Sequence, residues 1–147
     1  MPDHRVEILL VEDSVDEVAF FIRTLKVANL PARIHVASNG KEALDFIFGK
    51  AEDRTHGPAH YPRVIFLDLK LPLLDGLQVL RRLKSDPHTR AIPVVVLSSS
   101  QEERDLVESY QLGVNSYVVK PMDFQQFGKS VQLLGQYWLQ LNQSPSP

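Results

Sequence analysis

The chain contains no cysteine among its 147 residues. Without a thiol it can have no disulfide framework, no cysteine nucleophile and no thiolate metal site. No apolar run approaches the roughly 20 residues that span a bilayer. The polar and charged segment 1–7 lacks the features of a signal peptide. We therefore expect a cytoplasmic protein with no membrane partner.

An excess of charge of one sign is also missing. Sixteen Lys and Arg against eighteen Asp and Glu give a net charge of -2, so the composition offers no reason to expect a nucleic-acid partner. The 44% hydrophobic content is that of an ordinary soluble domain. We predict one domain over residues 1–147, with a core from about 5 to 141 and a disordered-like tail at 142–147. We expect no appended output domain.

Short apolar runs alternate with segments of helical periodicity. Five runs are too short to be helices and indicate strands covered on both faces; they occupy residues 6–11, 33–37, 63–69, 93–97 and 116–119. Helical stripes follow each run, the last over 124–141. Five strand–helix units predict an α/β fold, a flavodoxin-like doubly wound parallel sheet of order 2-1-3-4-5 with five helices. In such sheets ligands bind beyond the carboxyl ends of the strands.

Charged and hydroxyl residues follow the predicted strands. Glu12 and Asp13 follow the first, Asp68 the third, Ser98 the fourth and Lys120 the fifth. Three neighbouring carboxylates would raise one another's pKa, a cost that a divalent cation relieves. Oxygen ligands suit Mg²⁺, and the lack of cysteine and of nearby histidine argues against zinc or copper. Because a carboxylate can attack a phosphoryl group and a lysine can hold it, the set predicts a phosphoryl-transfer site.

As a group, these residues form a recognisable pattern that covers about residues 5 to 140. The chain resembles the receiver domain of two-component response regulators, and it looks similar to the phytochrome-associated single-domain members. The resemblance rests on Val11-Glu12-Asp13, Leu67-Asp68-Leu69, Pro72, Asp75-Gly76, Ser98 after a valine-rich strand, and Val119-Lys120-Pro121.

The resemblance implies a role for each matching position. Asp68 would accept a phosphoryl group from a sensor histidine kinase, and the protein would signal through protein–protein contacts without being an enzyme beyond its own phosphorylation and dephosphorylation. The implied residues are Glu12, Asp13, Asp68 and the backbone carbonyl of Lys70 for Mg²⁺, Ser98 and Lys120 at the phosphoryl group, Ser98 and Tyr117 as the switch, and Pro121 after a cis bond.

Two positions depart from the usual pattern of the family. Glu12 replaces the commoner Asp, and Lys70 stands two residues after Asp68, where a neutral side chain is usual. A cation at this position could pair with Glu12 or approach the phosphoryl group. Our hypothesis is that Lys70 alters the lifetime of the phosphoryl-aspartate.

The last predicted helix carries more apolar surface than one sheet requires. At 1.5 Å per residue it would span about 28 Å. Tyr137, Trp138 and Leu141 lie in its distal half, and aromatic residues are favoured in buried interfaces. We predict that these three residues form a homodimer interface; the alternative is intramolecular packing alone. The long connection 48–63 is either a plain surface loop or a family-specific contact surface.

Three other functions compete with the receiver reading. An aspartate-nucleophile, Mg²⁺-dependent phosphatase of haloacid-dehalogenase type would need a second acid two residues after the nucleophile, where Lys70 stands. A nucleotide-binding protein would need a glycine-rich phosphate loop, which the sequence lacks. An unphosphorylated scaffold of the same fold would have no need for the complete set of acids.

Overall fold

The computed structural model describes residues 6–49 and 61–144. The strands are β1 (Ile8–Val11), β2 (Ile34–Ala37), β3 (Val64–Leu67), β4 (Val94–Ser98) and β5 (Ser116–Val119). The helices are α1 (Val15–Val27), α2 (Gly40–Phe48), α3 (Gly76–Ser85), α4 (Glu103–Leu112) and α5 (Phe124–Gln136). Most of the predicted long connection, the first five residues and the last three residues of the predicted tail lie outside the described residues.

The five strands form one parallel sheet in the order β2-β1-β3-β4-β5. This confirms the predicted fold class and strand order. Most strand ends differ from the ends of the apolar runs by one or two residues. The reason is that a strand is defined by hydrogen bonds to a neighbouring strand, which the hydrophobicity of the sequence does not show.

The continuous apolar runs are explained by two cores, one on each face of the sheet. Alternate strand residues point to opposite faces. In β1, Leu9 and Val11 join the core covered by α2 and α3, whereas Ile8 and Leu10 join the core covered by α1 and α5. The central strands β1, β3 and β4 are buried along their whole length. The sheet thus holds the backbone at the strand ends rigidly in place.

Several helices begin or end at residue types that favour such positions. Asp75 caps α3 in a reciprocal capping box with Gln78, and Asp123 caps α5 by accepting from the Gln125 N–H. Gly113 ends α4 in the left-handed conformation at φ 104°, which favours glycine. These caps fix where the loops that carry the site begin.

The last helix differs from the sequence prediction in its regularity and in the position of Trp138. The α-helix ends at Gln136 and continues as a π-helical turn over Tyr137–Leu141 instead of remaining regular to residue 141. Trp138 is only 9% exposed because it packs into the core beside α1, so it is not a surface residue of the single chain. Tyr137 and Leu141 remain exposed. In the described segments, no helix combines the length and apolarity needed to cross a membrane.

Candidate functional site

Strand pairing places the ends of β1 and β3 side by side. Val11 pairs with Leu67, and the next residue, Asp68, donates its N–H to the Val11 carbonyl at 3.0 Å. Glu12 donates its N–H to the Ala37 carbonyl of β2 at 3.0 Å. Both acids therefore begin from fixed backbone positions, and both are buried.

Lys120 brings its ammonium group into the space between these acids. Its backbone N–H donates to the Ser98 carbonyl at 2.8 Å, which fixes the end of β5 against β4. Its Nζ hydrogen-bonds Glu12 Oε1, lies 3.1 Å from Asp68 Oδ2 and lies 3.0 Å from Glu17 Oε2. The side chain is only 7% exposed. One buried ammonium group thus forms ion pairs with three carboxylates.

The charges of the site shift the pKa values of its members. Burial alone would lower the pKa of Lys120, but the hydrogen bond to Glu12 and the charge of Asp68 outweigh burial and raise it, so the ammonium stays charged. Burial raises the pKa of the Glu12 carboxyl; Lys120 opposes this and Asp68 adds to it. The charged form of Glu12 is therefore only partly compensated by Lys120, and a second cation would favour it further.

The donor atoms fit a hard divalent cation. Carboxylate oxygens of Glu12, Glu17 and Asp68 lie within 4.8 Å of one another. A set of carboxylate oxygens is what Mg²⁺ and similar ions prefer. Asp13 is exposed and lies outside this group, on the rim of the adjoining cleft that Lys70 also lines. The structure thus brings Glu12 and Asp68 together and leaves Asp13 at the edge.

Ser98 and Tyr117 are linked through the loop that follows β4. Ser98 is fully buried, and its Oγ accepts from the Ser100 N–H at 3.3 Å. The half-buried Tyr117 donates its hydroxyl to the Ser100 carbonyl at 3.0 Å. The two predicted switch residues therefore share Ser100 as a hydrogen-bond partner.

The bond between Lys120 and Pro121 is trans, which corrects the expectation of a cis bond. Among the described residues there is no cis peptide bond. The trans isomer is favoured by about 0.5–1 kcal/mol even before proline. In this structure Lys120 already reaches both Ser98 and the acids from the trans backbone.

Lys70 contributes its backbone rather than its side chain to the site. Its N–H donates to Asp68 Oδ1 at 3.2 Å, which orients the carboxylate. The side chain is exposed, and the described ion pairs of Glu12 include Lys120 but not Lys70. The suggested pairing of Lys70 with Glu12 is therefore not observed.

Sequence reasoning missed Glu17. The spacing Ser14-x-x-Glu17 matches a capping box, in which the glutamate would bind the Ser14 N–H. In the structure Ser14 Oγ does accept from the Glu17 N–H at 3.3 Å, but the Ser14 N–H donates to Glu12 Oε2 at 3.1 Å. The Glu17 carboxylate therefore does not bind the Ser14 N–H and pairs with Lys120 instead. Only the fold reveals this exchange of partners.

Comparison with known proteins agrees with this arrangement. Residues 8–132 match the response regulator receiver domain family. A probable methanogenesis regulatory protein, FilR2 of Methanothrix harundinacea, is 39% identical over 95% of this chain and 88% of its own length. Response regulator Rcp1 of Synechocystis is 35% identical over 90% of this chain and 88% of its own length.

Two solved structures share the fold over almost the whole chain. The Mn²⁺-bound form of Rcp1 superposes with a TM-score of 0.87 at 34% identity, covering 95% of this chain and 99% of that one. The phosphorylated cyanobacterial phytochrome response regulator RcpA gives 0.88 at 35% identity, covering 97% and 99%. The phosphatase alternative finds no support. By sequence, fold and site, this chain belongs to the response regulator receiver domain family, and its relatives include phytochrome-associated single-domain regulators.

Proposed function

We propose that Asp68 accepts a phosphoryl group from a sensor histidine kinase. The observation that carries the proposal is the buried Asp68 carboxylate with the Lys120 ammonium 3.1 Å from its Oδ2. A carboxylate oxygen of Asp68 attacks phosphorus while the bond from phosphorus to the donor's histidine nitrogen breaks. The product is an acyl phosphate at the carboxyl edge of the sheet.

The neighbouring residues have separate roles in this step. The Lys120 ammonium contacts the phosphoryl oxygens in place of the free carboxylate, and the Ser98 hydroxyl donates a hydrogen bond to one of these oxygens. Glu12, Asp13, Asp68 and the Lys70 carbonyl would hold Mg²⁺, which would neutralise charge on the transferring group. The Mn²⁺-bound relative and the acidic cluster of Glu12, Glu17 and Asp68 support a divalent ion here.

The test is phosphorylation by a small donor in the absence of a kinase. Wild type incubated with acetyl phosphate and Mg²⁺ should gain one phosphoryl group by intact mass, and Asp68→Asn should gain none. Asp75→Asn is the matched control, since Asp75 is an exposed cap of α3 and should leave phosphorylation intact. An equal adduct on Asp68→Asn would reject the proposal.

We further propose that the kinase is of the phytochrome type. The support is similarity to a phosphorylated phytochrome response regulator across nearly the whole chain. Phosphotransfer from a bacterial phytochrome kinase, compared with a non-phytochrome kinase at equal concentration, tests this. Faster transfer from the phytochrome kinase is expected; equal or slower transfer would contradict it.

A homodimer through the end of α5 is the proposed assembly. With Trp138 buried in its own core, the surface consists of Leu133, Tyr137 and Leu141, which are 67%, 48% and 72% exposed. A second copy offering the same apolar surface would cover it, as in a two-fold interface. Wild type should be dimeric by light scattering, and a Tyr137→Ser/Leu141→Ser variant should be monomeric. Met122→Ser, fully exposed elsewhere, is the control.

The remaining expectations concern activity and location. We propose that the protein has no catalytic activity beyond its own phosphorylation and dephosphorylation, and that it acts in the cytoplasm through protein contacts. Leu106, Val107 and Tyr110 are exposed on α4, the helix that follows the Ser98 loop in the chain, and offer such a contact surface. Steady-state turnover of a phosphomonoester, or recovery of the protein in a membrane fraction, would contradict these assignments.

A further inference from the structure

Glu17 contacts the same ammonium group as Asp68 but has no part in the proposed phosphoryl transfer. Lys120 Nζ lies 3.0 Å from Glu17 Oε2 and 3.1 Å from Asp68 Oδ2, and it also hydrogen-bonds Glu12 Oε1. A lysine ammonium group has three N–H donors. The number of its carboxylate partners here therefore equals the number of its donors.

The three carboxylates differ in what holds them in place. Glu12 and Asp68 follow strands of the sheet, and each accepts a backbone N–H with its second oxygen, at 3.1 Å and 3.2 Å. Glu17 instead lies in the first turn of α1, where the Ser14 hydroxyl accepts from its backbone N–H at 3.3 Å. Its carboxylate thus reaches the ammonium group from a helix and not from the sheet.

Glu17 is also the partner nearest to solvent. The side chains of Lys120, Glu12 and Asp68 are 7%, 6% and 10% exposed, whereas that of Glu17 is 31% exposed. On its inner side Lys120 lines a small cavity together with apolar core side chains such as Phe127. Water therefore competes with Glu17, more than with the other two carboxylates, for an N–H donor of the ammonium group.

We propose that Glu17 is a positioning residue: it holds the Lys120 ammonium group against Asp68, so that the positive charge is in place when a phosphoryl group reaches that carboxylate. Three partners fix the ammonium group in position and in rotation. With two partners, water takes the third donor and the long side chain regains freedom to turn away from Asp68. Charge that is already in place favours transfer, because no reorganisation is needed during the reaction. The effect on phosphorylation rests on the proposed role of Asp68.

The test uses variants that separate a lost hydrogen bond from a lost charge. Glu17→Met removes the carboxylate at a similar side-chain length, and Glu17→Gln removes the charge but keeps an oxygen acceptor. Asp16→Asn is the matched control, since Asp16 is an exposed acid in the same turn of α1. Both positions lie near the helix N-terminus, so each variant loses the same favourable interaction with the helix dipole.

The first readout observes the ammonium group directly and needs no phosphoryl donor. Proton–nitrogen NMR detects a lysine NH₃⁺ group when its protons exchange slowly with water, and the signal of Lys120 is identified by its loss in Lys120→Met. Wild type and Asp16→Asn should show this signal, and Glu17→Met should lose it through faster exchange. The same signal and exchange rate in Glu17→Met, or no signal in wild type, would overturn the proposal.

The second readout is the rate of phosphorylation by acetyl phosphate at saturating Mg²⁺, where weaker binding of the ion does not limit the rate. Glu17→Met should react roughly fivefold more slowly than wild type. This is less than the roughly 100-fold that a misplacement of 1 Å can cost, because two carboxylates still hold the ammonium group. Glu17→Gln should keep at least about half of the wild-type rate, since it keeps the acceptor, and Asp16→Asn should react at the wild-type rate.

The outcomes are distinguishable from failure of the phosphoacceptor role. If wild type gains no phosphoryl group, the proposed function fails, while the NMR measurement still decides whether Glu17 holds Lys120. An unchanged or faster rate in Glu17→Met would overturn the positioning role. Equal slowing in Glu17→Gln and Glu17→Met would also overturn it, because charge and not the hydrogen bond would then be the cause.

Discussion

Lys120 Nζ lies 3.1 Å from Asp68 Oδ2, although the two residues are 52 positions apart in the chain. The same ammonium also contacts Glu12 and Glu17. This contact requires the strand order β1-β3-β4-β5, because it joins the end of the sheet's edge strand to the ends of its central strands. Lys120 is thus the internal cation of an acidic site.

Lys120→Met should lower the free energy of unfolding by about 3–5 kcal/mol, since breaking a buried ion pair leaves carboxylates without their partner. Added Mg²⁺ should raise the melting temperature of this variant more than that of wild type, because the ion replaces the missing charge. Thermal unfolding with and without Mg²⁺ measures both effects. Lys41→Met, which removes an exposed pair with Asp45, is the control. Equal Mg²⁺ responses in all three proteins would contradict the account.

Gly76→Ala should disturb Asp68 directly. A Cβ at Gly76 would lie 2.3 Å from the Asp68 carbonyl oxygen and 2.5 Å from Leu69 Cα, so the backbone under the acid must shift. We expect a loss of about 1–3 kcal/mol of stability and slower phosphorylation of Asp68.

Gly128→Ala is the matched control for that substitution. Its Cβ would meet Phe20 at 3.4 Å, an ordinary contact, and alanine favours the helix by about 0.5–1 kcal/mol. Denaturant unfolding and the acetyl phosphate assay compare the two variants. Phosphorylation of Gly76→Ala at the wild-type rate would contradict the close contact between Gly76 and the Asp68 backbone.

Lys84 should make stability depend on pH. Burial lowers the pKa of Lys84 to about 8, although its Nζ donates to the carbonyls of Arg90 and Ile92 and to Asn115 Oδ1. Because the folded pKa is below the unfolded value of roughly 10.4, the unfolded state binds more protons between these values, and stability from this group rises with pH across that window. Lys84→Met should lose this rise. Denaturant midpoints of wild type and Lys84→Met, measured from pH 7 to 10, test this difference. The same pH dependence of the midpoint in both proteins would contradict the prediction.

Lys70→Asn tests the hypothesis on phosphoryl lifetime. The exposed Lys70 side chain lies on the rim of the cleft beside Asp13, outside the buried cluster around Lys120. A cation there alters the charge near the phosphoryl group without changing the buried ion pairs. The rate of dephosphorylation should therefore differ between wild type and Lys70→Asn, with unchanged thermal stability. Equal dephosphorylation rates would reject the hypothesis.

The fold could be read from the sequence because its signals are local. Valine-rich runs such as 93–97 are too short to be helices and indicate buried strands. Asp75 favours a helix start through its side chain, and Gly113 favours a helix end through its left-handed backbone. Once the strand order is known, Glu12 and Asp68 must meet at one edge. These parts of the site therefore follow from residue type and position alone.

Other parts depend on three-dimensional choices that a pattern does not record. Glu17 leaves its capping role because Glu12 takes the Ser14 N–H, and Asp105 becomes buried only when α4 packs beside the β4 loop. Trp138 follows the apolar stripe inward through a π-helical turn, so it stabilises the core rather than an interface. Each case is a competition between two partners that only the packed structure decides.

The proposed function requires that the phosphoryl group be carried by Asp68 and by no neighbouring carboxylate. Wild type treated with acetyl phosphate and Mg²⁺ can be reduced with borohydride, which converts an acyl phosphate into an alcohol at the modified residue, and then mapped by peptide mass spectrometry. We expect one modified residue, Asp68. Modification of Asp13 or Glu12 in the same crevice, or of no residue at all, would contradict it.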